Sequence, residues 1–90
     1  MGMSAVQYKI MPNSLDMDFN WLRKESEKII VDKGGIIANF EELPIAFGLK
    51  ALIISFAYPE EKDVDQIGND LSALEGVTSA DMIDYRRAFG

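Results

Sequence analysis

The chain contains neither cysteine nor histidine. Without cysteine there can be no disulfide, thiolate metal site or thiol nucleophile. Without histidine the commonest general base and the commonest metal ligand are gone. Basic charge is also scarce: nine Lys and Arg face fifteen Asp and Glu, a formal net charge of −6. Such a chain gains little from phosphate backbones, which disfavours direct nucleic-acid binding. Long apolar runs are absent too. The longest, residues 51–54, is far too short to span a membrane. No charged segment followed by an apolar one opens the chain, so no signal peptide is expected. Met1-Gly2 fits a myristoylation start, but Val6 stands where Ser or Thr is required. A cytoplasmic location is expected.

What is present fits one globular domain over residues 1–90. Hydrophobic residues make up 48% of the chain, which argues against disorder. Residues 3–11 alternate, with Val6, Tyr8 and Ile10 on one side and Gln7 and Lys9 on the other; this predicts a half-buried strand that ends at Pro12. Leu15, Phe19, Leu22, Ile29 and Ile30 recur at helical spacing, Ser26 fills a gap in the stripe, and Asp16 or Asp18 can cap the start. Gly34-Gly35 stops this helix.

Residues 36–43 alternate again, with Ile36, Ala38 and Phe40 expected on one side. Residues 49–58 are apolar on both parities, as a central strand is. Val64, Ile67, Leu71 and Leu74 form a second helical stripe, with Asp63 as its cap and Gly68 permitting close packing on the sheet. Residues 77–87 form the last strand, with Ala80 and Met82 alternating, and Ala88-Phe89-Gly90 follows it.

The order strand–helix–strand–strand–helix–strand predicts an α+β, ferredoxin-like βαββαβ sandwich. Right-handed crossovers place both helices on one face of a four-stranded antiparallel sheet. The fold alone says little about function, and several of its uses are excluded by what is missing. Iron–sulfur binding and copper transfer need cysteines. RNA binding through Tyr8, Phe56 and Tyr58 would need a basic setting. The segment Met11-Pro12-Asn13-Ser14 is no phosphate cradle. Glu41-Glu42, Glu60-Glu61 and Asp63/Asp65 read as solvated faces or caps, since neighbours on a strand point to opposite sides. No catalytic residue, metal site or cofactor is expected.

Two clusters remain. The hairpin connection Leu43-Pro44-Ile45-Ala46-Phe47-Gly48-Leu49-Lys50 is apolar where a turn is normally polar. On the residues alone Phe47 reads either as a core side chain at a strand end or as a group kept for a partner. Arg86-Arg87 closes an otherwise acidic chain, either as ordinary surface charge or as part of a binding surface.

Pro44-Ile45-Ala46-Phe47-Gly48-Leu49-Lys50-Ala51-Leu52 resembles the Pro-Ile-x-Phe-Gly-(Ile/Leu)-x-x-Leu segment of the translation elongation factor 1-beta family. Leu74-Glu75-Gly76-Val77, Asp84-x-Arg86-Arg87, Met11-Pro12 and Asp16-x-Asp18 are similar to its archaeal form, so the resemblance runs along the whole chain. It implies a ferredoxin-like domain that promotes GDP release from elongation factor 1-alpha, the GTPase that delivers aminoacyl-tRNA, without covalent chemistry of its own. It further implies that Pro44, Ile45, Phe47, Gly48 and Lys50 belong to the partner surface, with Phe47 meeting the GTPase next to its nucleotide site. In eukaryotic members a lysine near the C-terminus reaches toward the Mg²⁺ site. That position falls on Arg87, with Arg86 its neighbour, and Arg offers a planar fork where Lys offers a compact ammonium. The alternative function is a small-ligand-binding regulatory or oligomerisation domain on the same fold.

Overall fold

Alternation in the first segment produces β1, Met3–Pro12, in the computed structural model, which describes residues 2–87. Its even-numbered residues are buried and its odd-numbered ones are half-buried or exposed. Helix α1 (Phe19–Asp32), strands β2 (Ile36–Pro44) and β3 (Lys50–Pro59), helix α2 (Asp65–Ser72) and strand β4 (Val77–Arg87) follow. The strands form one antiparallel sheet in the order β2-β3-β1-β4, so the ferredoxin-like arrangement expected from the sequence is what forms. The tail, residues 88–90, and Met1 lie outside the described residues.

The core lies on one face of the sheet. Val6, Tyr8 and Ile10 of β1 and Leu52, Ile54, Phe56 and Tyr58 of β3 meet Leu22 and Ile30 of α1 and Ile67 and Leu71 of α2. The aromatics stack on one another there, Tyr8 to Phe56 at 6.0 Å and Phe56 to Tyr58 edge-on at 6.2 Å between ring centroids. All three are almost fully buried, so none is displayed for stacking on a base. Burial raises the Tyr8 phenol above its ordinary pKa, and the Asp65 carboxylate adds to the effect. The phenol stays protonated and donates to the Val64 carbonyl oxygen at 3.2 Å.

Gly68 explains how α2 comes so close. A Cβ at this position would lie 2.9 Å from Tyr8 Oη. Gly68→Ala gains helix propensity but overpacks against a pinned ring. A net loss of about 1–2 kcal/mol is expected in urea unfolding; no loss would show that the ring moves freely. Ser26 of α1 gives the opposite sign. Its hydroxyl is fully buried and has no hydrogen-bond partner among the described residues. Ser26→Ala removes an unsatisfied group and favours the helix, so it is expected to stabilise by about 1 kcal/mol in the same measurement. A destabilised variant would mean that the hydroxyl does find a partner.

Two expectations about the apolar faces need correction. Leu15 does not belong to the helical stripe. Asp18 accepts from the Asn20 and Trp21 N–H groups at 3.0 and 3.2 Å, which starts the helix at Phe19 and leaves Leu15 in the preceding loop. Ile36, Ala38 and Phe40 do not share a face. An irregularity between Ile37 and Asn39 shifts the parity, so Ile37 and Phe40 pack on the core while Ile36 is 63% exposed. On β4 Ala80 and Met82 share the helix-side face, as expected, pairing with Ile10 and Tyr8, and a register shift follows only at Ile83, beyond them. Asp63 is not the cap expected of it: Val64 is the N-cap of α2 and makes no side-chain capping bond, while Asp63 Oδ1 accepts from the Asp65 N–H at 2.9 Å just before the helix.

Candidate functional site

The connection between β2 and β3 is built by backbone bonds. The Leu49 N–H donates to the Ala46 carbonyl at 3.0 Å, and the Ile45 N–H to the Leu49 carbonyl at 2.8 Å. Phe47 and Gly48 occupy the tip with φ of +56° and +80°. Positive φ at both central residues marks a type I′ turn, which matches the twist of the flanking strands. The first of these positions normally takes Asn, Asp or Gly, because a Cβ crowds the backbone there. Phe47 is the one non-glycine residue with positive φ among the described residues. A left-handed L-residue costs roughly 1–2 kcal/mol.

That cost is not recovered by packing, because Phe47 is 95% exposed. The core reading of Phe47 is therefore wrong for the isolated chain. The β-hairpin holds a large apolar ring in water, in a conformation the ring itself disfavours. Strain of this kind persists where surrounding structure dictates it, and it gathers at binding sites. Pro44 and Ile45 are exposed beside it. Lys50, the first residue of β3, places Nζ 3.4 Å from Glu42 Oε1, and Glu42 also pairs with Arg23 of α1. This short chain of charges ties the base of the hairpin to the helix layer.

The register places the arginines at the other end of the sheet. Lys50 lies two residues before Leu52, which pairs with Ile10, whereas Arg86 and Arg87 pair with Ala5 and Ser4. At about 3.3 Å per residue, the hairpin base and Arg87 stand roughly 25–30 Å apart. The two clusters therefore lie toward opposite ends of the strands.

The two arginines also diverge from each other. Arg86 pairs with Ala5 and so faces the open side of the sheet, where its Nε lies 3.2 Å from Asp84 Oδ2. It borders a cavity of about 520 Å³ floored by Ala5, Ala38 and Ala57. Arg87 pairs with Ser4 and faces the helix side, next to the Tyr85 hydroxyl that accepts from Ser4 Oγ at 2.8 Å. Arg87 is exposed and makes no ion pair among the described residues.

Among the described residues, no cluster of three or more carboxylates could hold a metal ion. No described helix is long and apolar enough to cross a membrane. Leu15 was missed as a surface group because its spacing to Phe19 and Leu22 suits a helix. The Asp18 cap was the signal that could have excluded it.

Comparison with known proteins agrees with this architecture. The C-terminal domain of the MgtC protein from Mycobacterium tuberculosis superimposes with a TM-score of 0.72 over 97% of this chain and 89% of that one. At 10% identity it speaks to the fold alone. Elongation factor 1-beta of Methanosarcina barkeri is 33% identical, covering 97% of this chain and 99% of the relative. That of Methanothermobacter thermautotrophicus is 35% identical, covering 97% and 98%. The model of the EF-1 guanine nucleotide exchange domain matches residues 5–87. With the β-hairpin tip and the paired arginines in place at the two ends of the sheet, the chain belongs to the family of EF-1 guanine nucleotide exchange domains, the exchange factors of elongation factor 1-alpha.

Proposed function

We propose that this chain, working as a single exchange domain in the cytoplasm, speeds GDP release from elongation factor 1-alpha by holding the GTPase at both ends of its sheet. The observation that carries the reading is Phe47, a strained and exposed aromatic at the tip of the β2–β3 hairpin. A GTPase holds GDP through its phosphate loop and a bound Mg²⁺. An exchange factor accelerates release by binding better to the form in which those contacts are disturbed. A thousandfold acceleration needs roughly 4 kcal/mol of such differential binding.

Arg87 carries the cation to the Mg²⁺ and phosphate region. Phe47 anchors the opposite end on a separate part of the GTPase. Arg86, partly neutralised by Asp84, has the lesser role. The chain contributes no bond-making step, so GDP leaves chemically unchanged.

The test is release of fluorescent GDP from preloaded elongation factor 1-alpha on addition of the full chain. Release is expected to accelerate with chain concentration and then saturate. A release rate that does not respond at any concentration removes the proposal.

A further inference from the structure

We infer that Leu15 is a second docking contact for elongation factor 1-alpha, acting beside Phe47 on one apolar surface of the GTPase; the inference rests on the exchange function proposed above. Leu15 is 66% exposed in the loop between β1 and α1. Its Cδ2 lies 3.5 Å from where a Cβ on Gly48 would stand, so the loop reaches the β-hairpin tip. Leu15, Met17 and Phe19 line one side of a cleft of about 250 Å³, and Gly48 and Lys50 line the other. Two elements distant in sequence thus offer apolar side chains at one end of the molecule.

Area argues that Phe47 does not dock alone. One aromatic side chain buries about 150–250 Å², whereas a specific interface covers about 800 Å² per partner. The surface around an anchor must supply the rest. Among the described residues Leu15 is the most exposed large hydrophobic residue after Phe47, and it adjoins the same tip, together with the half-exposed Ile45. The loop flank beside it is acidic: Asp16, Asp18 and Glu75 border the adjoining cleft with Trp21. The complementary surface on the GTPase is therefore apolar at its centre and basic on this side.

The experiment measures fluorescent-GDP release against chain concentration for the parent, Leu15→Ala and Leu15→Glu. The half-saturating concentration is expected to rise about fivefold for Leu15→Ala and by more than about tenfold for Leu15→Glu, as for a partly buried leucine. The maximal release rate stays at the parent value. Thermal unfolding is expected to be unchanged, because the side chain lies outside the core. Unaltered half-saturation in both variants, with the parent active, overturns this inference and leaves the exchange function standing. An inactive parent overturns the exchange function itself. If Leu15→Glu instead converts a self-associated chain to monomer in sedimentation and leaves exchange untouched, the surface meets a second copy and the inference fails.

Discussion

Replacing Phe47 by asparagine is expected to raise the stability of the chain while greatly raising the concentration it needs to drive exchange. The two effects come from the same residue for separate physical reasons. Phe47 sits at φ +56° with its ring in water, so the folded state bears the left-handed cost without any return from burial. Asparagine tolerates that conformation. Relief of about 1 kcal/mol is expected, which for a domain of this size raises Tm by roughly 4–8 °C. On the GTPase the missing ring forfeits the burial of an aromatic, worth about 1.5–3 kcal/mol, or about ten- to a hundredfold in half-saturating concentration. Calorimetry and release kinetics on one sample test both halves. A core phenylalanine would behave in the opposite way, since its truncation costs about 3–5 kcal/mol of stability. A variant that melts lower than the parent would therefore contradict the exposed, strained hairpin tip.

Arg87→Ala should slow saturated GDP release by about a hundredfold, while Arg86→Ala changes it by less than about threefold. Truncating a charge that meets a buried partner charge typically costs about 2–5 kcal/mol. The asymmetry follows from the register. Neighbours on β4 point to opposite faces, and Arg86 already has Asp84 at 3.2 Å. Because the arginines and the β-hairpin stand at opposite ends of the sheet, their variants should also separate kinetically. Arg87→Ala lowers the maximal rate, whereas Phe47 variants raise the half-saturating concentration. Arg87→Lys is expected to retain most of the rate, since the proposed role needs a cation rather than a fork. If Arg86→Ala abolishes exchange and Arg87→Ala does not, the open face of the sheet meets the nucleotide site. If neither matters, a cation at this end has no part in release.

Much of the architecture was legible in the residues because period and punctuation agreed. The even-numbered side of β1, the doubly apolar β3 and the Gly68 approach all follow from local pattern. The errors arose where a local cap or a strand pairing competes with that pattern. Leu15 keeps helical spacing, yet the Asp18 cap begins the helix after it. Ile36 keeps strand alternation, yet the irregularity at Ile37–Asn39 moves the core face by one residue. Spacing cannot reveal a bulge that is set by the partner strand.

The candidate site divides in the same way. Pro44, Phe47 and Gly48 stood out as an apolar turn, and Arg86-Arg87 as the basic end of an acidic chain. Two facts could not be read from the string of residues: that Phe47 is solvent-exposed, and that the two clusters lie a strand's length apart. Exposure depends on whether anything folds over the β-hairpin tip, and nothing described does. Separation depends on how the strands pair, which is a property of the whole sheet.

The absence of histidine and cysteine, the order of the elements and the family of the chain were determined by the sequence itself, since each is a property of residue identity and local spacing. Only the tertiary structure decided that an exposed, strained ring projects at one end and, at the other, an arginine with no ion pair among the described residues. The physical reason is the antiparallel register, which sends the β2–β3 connection and the end of β4 to opposite edges of the same sheet.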